Sequence, residues 1–175
     1  MKLEIVTYPD PRLARKCEPV TEITGELRQL AADMIETMYE APGVGLAAPQ
    51  VGRNIRMLVM DPDMGAEGSE RRPRVLINPE LTLGEDMIPS EQEGCLSVPM
   101  NYRATVKRAS RVHLKATDMD GNGIEEDLEG FAAIVVQHEY DHLDGILFID
   151  RSSRLRRGLY DSKVKKWLKR KSASV

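Results

Sequence analysis

The chain is short of several residue types, and each shortage narrows what it can be. It has two cysteines, Cys17 and Cys95, too few for a disulfide framework. The opening residues Met1 to Val6 lack both a continuous apolar region and a small-residue cleavage site, so no export signal is expected. A cytoplasmic protein with reduced thiols follows from these two observations. The apolar run ahead of Gln137 is too short to span a bilayer. No internal repeat, low-complexity tract or interdomain linker interrupts the chain, and 175 residues suffice for a single domain, 1–175, with a real core. Histidine is scarce as well: there are three, and two of them, His138 and His142, stand four positions apart.

What is present fits a water-soluble protein, with 41% apolar and 30% charged residues. The net charge of −3 conceals an uneven distribution. Residues 151–175 hold ten Lys or Arg and one acid, Asp161, whereas residues 1–150 hold 15 bases and 27 acids. The tail is therefore about +9 and the body about −12. A basic tail suits a solvated helix face, or contact with nucleic acid or another anionic surface.

Periodicity predicts α+β architecture, with antiparallel strands and a helix carrying the two histidines, between N-terminal and C-terminal helices. Leu27, Leu30, Ala31, Met34 and Met38 form a helical stripe over 26–40, ended by Pro42-Gly43. Residues 55–60 and 75–78 read as strands, with Pro79 as a stop. Residues 64–70 read as an exposed loop. Val112, Leu114 and Ala116 alternate with polar neighbours, and the turn signal Asp120-Gly121-Asn122-Gly123 leads into a returning strand over 124–128. The tail over 154–171 reads as a basic helix with Leu155, Leu159, Val164, Trp167 and Leu168 on its apolar side.

The segment Gln137-His138-Glu139-Tyr140-Asp141-His142 carries the chemistry. On a helix both imidazoles share a face and can reach one ion. Glu139 lies about 100° round the axis, beside the ion and placed to act on water. Phe131, Ile134, Val135, His138 and His142 recur at helical spacing, and Gly145 supplies a C-terminal stop. A catalytic site of this kind has a third protein ligand. Position 148 is Phe148, so a third histidine six residues on is excluded, and no glutamate follows Glu139, so a downstream glutamate is excluded too. Asp150 and Asp161 stay open as ligands. Cys95 is better placed, in Glu93-Gly94-Cys95-Leu96-Ser97-Val98-Pro99, where a glycine lets the backbone approach an ion. Cys17 and His113 read as structural residues. A third segment, Gly43-Val44-Gly45-Leu46-Ala47-Ala48-Pro49-Gln50, offers small residues against which an extended peptide could pair, and an amide in Gln50 that could polarise a carbonyl.

These three segments, in this order and spacing, resemble the peptide deformylases from about Tyr8 to Asp150. The resemblance implies that Cys95, His138 and His142 bind a divalent metal and that Glu139 is the general base and acid. It implies that Gln50 and the Leu96 N–H hold the formyl oxygen, and that Gly45 bonds the substrate through its backbone. Val44, Ile134 and Val135 match the walls of the methionine pocket, and Arg103 a peptide contact. Fe(2+) is the metal it favours, with Zn(2+), Ni(2+) or Co(2+) also compatible with one thiolate and two imidazoles. The substrate it implies is a newly made formyl-methionyl chain, and a partner is the ribosome, met through the basic tail. Two other readings compete: a zinc metallopeptidase cutting internal bonds, and a ribosome-associated binding protein with a structural metal.

Overall fold

The computed structural model describes every residue except Gly65, Glu67 and Val175. Its elements are α1 (Gly25–Glu40), β1 (Gly45–Ala47), β2 (Met57–Met60), β3 (Arg74–Leu83), β4 (Met87–Glu93), β5 (Ala104–Ala109), β6 (Arg111–Thr117), β7 (Gly123–Glu129), α2 (Gly130–Leu143) and α3 (Arg154–Ala173). Short 3₁₀ turns cover Ala48–Val51 and Phe148–Arg151. The predicted α+β class holds. Five strands pair antiparallel in the order β1-β2-β3-β6-β7, and β4 pairs with β5 in a separate two-stranded sheet.

The larger sheet is covered on both faces near β1 and β2. Met57 and Val59 point to α1, where they pack with Leu30, Met34 and Met38. Leu58 and Met60, one residue out of phase, point to α2 and pack with Ala133, Val136 and Leu143. This two-sided burial explains why β2 reads as an unbroken apolar run and not an alternating one. α1 starts at a Thr24 cap, whose side chain accepts from the Leu27 N–H.

α2 is held from two directions. It packs on the large sheet, and Gln137 fastens it to β5 by accepting from the Ala109 N–H at 3.0 Å and donating to the Ala109 carbonyl at 2.9 Å. The helix ends in a Schellman turn: Gly145 N–H bonds the His142 carbonyl and Ile146 N–H the Asp141 carbonyl. Gly145 has φ +73°, and a Cβ there would lie 2.6 Å from the Ala14 carbonyl oxygen, so glycine is required twice over. The stop expected at Gly145 is thus a close backbone approach as well as a cap.

Three expectations need correction. β3 does not stop at Pro79 but runs to Leu83 through a bulge, where Asn78 takes φ +48° and the register shifts between Ile77 and Glu80. A bulge is one of the few places a strand accepts proline. The strand expected from Ile55 starts at Met57. α3 does not bury Leu155, Leu159 or Leu168, which are exposed. It docks through Tyr160 and Val164, with Arg157 and Asp161 flanking them, because its footing is a polar-rimmed patch built from Tyr8, Tyr102 and Phe148. Phe131 is 54% exposed and lines the cleft. Of the loop expected over 64–70, Gly65 and Glu67 lie outside the described residues.

Candidate metal centre and peptide cleft

Three segments distant in sequence meet at the mouth of α2. Ligand atoms of Cys95, His138 and His142 all lie within 4.8 Å of one another. Cys95 Sγ is 3.3 Å from His142 Nε2. β4 delivers Cys95: its last residue, Glu93, pairs with Ala104, and the chain then turns, closed by the Val98 N–H to the Cys95 carbonyl. That bond leaves the Leu96 N–H outside the turn's own pairing. α2 delivers the histidines, both buried on one face.

His138 Nδ1 bonds Glu93 Oε1 at 2.7 Å, which leaves Nε2 for the cluster. A carboxylate behind a histidine in this way fixes ring orientation and tautomer in metal sites. One sulfur and two imidazole nitrogens at this spacing suit a tetrahedral ion with an open position. Burial works against the charged form of His138, and its bonds to Cys95 and Glu93 outweigh that and raise its pKa. His142 is pushed well down, by burial and then by His138, which fits a neutral imidazole donor. Burial opposes the Glu93 carboxylate, but His138 and Arg108 together hold its pKa at about 2.

Glu139 sits beside the cluster. Its Oε2 is buried with no hydrogen-bond partner among the described residues. Burial pushes its pKa up to about 7, opposed by the charge of His138 and aided by that of Glu93. Gly45 packs on it so closely that a Cβ would lie 2.5 Å from Glu139 Oε1. An acceptor left bare at this point is free to take a proton from a group in the cleft.

Gln50 arrives on the 3₁₀ turn after β1. The Ala47 N–H donates to Gln50 Oε1 at 2.8 Å, which fixes the amide and turns its NH₂ toward the cluster. That NH₂ lies 3.4 Å from Cys95 Sγ and 3.1 Å from Ser97 Oγ. The amide therefore reaches the site as a donor.

A cleft of about 360 Å³ opens over these groups. Val44, Gly45, Leu96, Arg103, Ile134 and Val135 all line it, so every residue expected to meet substrate borders one space. Among the described residues β1 is an edge strand, paired with β2 alone. Arg103 lies over Gly94 and donates to Asn101 at 3.0 Å. Neither competing third ligand joins the cluster: Asp150 accepts from Leu147 N–H and pairs with Arg157, and Asp161 accepts from Tyr8. Cys17 is buried in the core, and His113 lies on β6 between Asp127 and Glu125.

The chain matches the family model described as polypeptide deformylase over residues 2–158. It belongs to that family. A peptide deformylase of Bradyrhizobium sp. (strain ORS 278) is 48% identical over 170 residues, covering 95% of this chain and 96% of the relative. The crystal structure of a peptide deformylase from Legionella pneumophila superposes with a TM-score of 0.86 at 39% identity, covering 98% of each chain. One from Ehrlichia chaffeensis, solved in complex with actinonin, has a TM-score of 0.86 at 39% identity over 94% of this chain and 96% of its own. The family is metal-dependent, and the cluster of Cys95, His138 and His142 is a possible metal site in this member.

Sequence reasoning assigned no role to four residues here. Arg108, on an inward position of β5, bonds both Glu93 and Asp141, and Ser97 holds the Gln50 amide. Glu93 and Ser97 lay inside a quoted motif and Asp141 inside the histidine segment. Arg108 had a weaker signal, an arginine in phase with the inward Ala104 and Val106. Only the tertiary pairing says what these residues touch.

Proposed function

We propose that this chain is a metal-dependent peptide deformylase: it hydrolyses the N-formyl group from the formyl-methionine that begins a new polypeptide, and releases formate. The observation that carries this reading is the convergence of Cys95, His138 and His142 with a bare Glu139 oxygen in one cleft. The chain works as a single domain, 1–175, in the cytoplasm. Among the described residues no helix is long and apolar enough to cross a membrane.

Cys95, His138 and His142 would hold the metal, which would supply positive charge and lower the pKa of water at the site to roughly 7. Fe(2+) is the metal we favour; the donor set also accepts Zn(2+), Ni(2+) or Co(2+). Glu139 takes the proton of the attacking water as its oxygen bonds the formyl carbon. The Gln50 amide and the Leu96 N–H donate to the oxygen on that carbon as it gains charge; one such donor is typically worth ~3 kcal/mol. Glu139 then passes the proton to the leaving nitrogen as the C–N bond breaks, leaving formate and a free amino terminus. The edge of β1 at Gly45 pairs with the peptide backbone as an added strand. Val44, Ile134 and Val135 hold the methionine side chain, and Arg103 contacts the peptide further along.

The exposed bases of α3 (Lys163, Lys165, Lys166, Lys169, Arg170 and Lys171) suit docking on the ribosome, a dense polyanion from which formylated chains emerge. Formate release from formyl-Met-Ala-Ser tests the activity. Cleavage of an unformylated peptide in its place would favour the metallopeptidase reading.

A further inference from the structure

Four charged side chains link His138 to the segment that leads into α3. Glu93 Oε1 meets two donors at once, His138 Nδ1 at 2.7 Å and Arg108 Nη2 at 2.5 Å. Arg108 Nη1 donates to Asp141 Oδ2 at 2.6 Å. Arg151 closes the chain from the surface, with Nε and Nη2 each 2.6 Å from an Asp141 oxygen. The side chains of Glu93, Arg108 and Asp141 are 6%, 2% and 7% exposed, so little solvent screens them. The 3₁₀ turn that carries Arg151 also carries Phe148, whose ring stacks on the His138 imidazole at 6.0 Å between centroids.

We propose that Asp141, acting through Arg108, is a positioning residue that keeps Glu93 bonded to His138, and that Arg151 holds Asp141 in place for this task. The inference rests on the reading of Cys95, His138 and His142 as metal ligands. The shared oxygen is the reason. His138 and Arg108 compete for Glu93 Oε1, and Asp141 divides the guanidinium between two carboxylates. Without the Asp141 carboxylate, the whole pull of Arg108 falls on Glu93. The bond to His138 then weakens, the ring is freer to turn, and Nε2 no longer faces Cys95 and His142. His142 offers no substitute anchor, because its Nδ1 has no partner among the described residues. Packing alone does not call for these charges, since well-packed apolar residues often replace a buried ion chain without loss of stability.

The test measures cobalt(II) affinity by chelator competition, with the visible absorption of the bound ion, on the full chain. Wild type is expected to bind one cobalt, and Cys95→Ala none. Asp141→Asn is expected to bind about 10–100-fold more weakly. The double variant Arg108→Met/Asp141→Leu, chosen to keep its fold, removes the competing donor together with its counterweight, so it should regain most of that about 10–100-fold loss and show a spectrum close to wild type. Arg151→Met should give a smaller loss. Arg56→Ala breaks an ion pair with Asp144 at the end of the same helix, outside the chain, and should stay within about twofold of wild type. Wild-type affinity in folded Asp141→Asn would overturn the proposal, as would a loss in the double variant equal to that in Asp141→Asn, or an equal loss in Arg56→Ala. If Asp141→Asn does not fold, Arg151→Met decides, and wild-type affinity there would overturn the proposal. Failure of wild type itself to bind cobalt, or full binding by Cys95→Ala, would instead strike the metal reading.

Discussion

Glu139, Gly45 and Cys17 show three ways a single residue is fixed by its surroundings. On the proposed mechanism Glu139→Ala removes the proton carrier but no metal ligand, so metal content by elemental analysis should stay near stoichiometric while formate release falls by at least ~100-fold. Near-wild-type turnover would refute the base assignment. Gly45→Ala puts a methyl 2.5 Å from Glu139 Oε1, so the carboxylate must move. Steady-state kinetics should show a fall in kcat of ~10-fold or more, because a small misplacement of a catalytic group is costly. Cys17 is 3% exposed, and burial pushes its thiol up to about 11. The folded chain therefore holds that proton more tightly than the unfolded chain, whose thiol titrates near ~8.5. Stability is fully present below that value and falls as pH rises toward about 11. Urea midpoints should drop between pH 8 and 10 by the equivalent of roughly 1–2 kcal/mol, and by less in Cys17→Ala.

At the scale of elements, α2 matters most, and its ends and flanks set where the histidines stand. Gly145→Ala should destabilise the fold by roughly 2–3 kcal/mol, because it combines a left-handed backbone with a clash against the Ala14 carbonyl. Thermal unfolding checks this, and a change under about 0.5 kcal/mol would show that the backbone at Ala14 yields. α2 also shows what a helix reveals in advance. The stripe of Phe131, Ile134, Val135, His138 and His142 was readable as helical, because side chains three and four apart share a face. The stripe does not say what that face meets. In the fold Phe131, Ile134, Val135 and His138 border a cleft, and Val135 also shares the core contacts with Ala133, Val136 and Leu143. β3 shows the opposite case. Pro79 reads locally as a stop, but Asn78 accepts a positive φ and donates to the Val20 carbonyl at 2.8 Å, so the strand bends and continues. That bond joins residues 58 apart, which no local pattern reports.

The whole molecule divides into an acidic body with the site and a basic helix at its end. Removal of residues 160–175 should leave formate release from a tripeptide within about twofold if the remaining fold holds. It should weaken ribosome binding, which in the full chain should fall steeply with salt. Because Tyr160 and Val164 are the buried contacts of α3, charge reversal at Lys165, Lys166 and Lys169 is the cleaner variant. Salt-insensitive binding would remove the tail from that role. By itself the sequence determined the chemistry: two imidazoles at helical spacing, a glutamate between them, a cysteine beside a glycine and an amide behind a run of small residues. Those choices are local, set by residue type and the 3.6-residue period. The tertiary structure alone decided how these pieces meet. It brought β4 and β1 to the same helix end and turned the Gln50 NH₂ inward by a bond from Ala47. It also set Arg108 and Asp141 behind Glu93 and His138. Such contacts join residues tens of positions apart, and their energy depends on burial that only the assembled sheets and helices create.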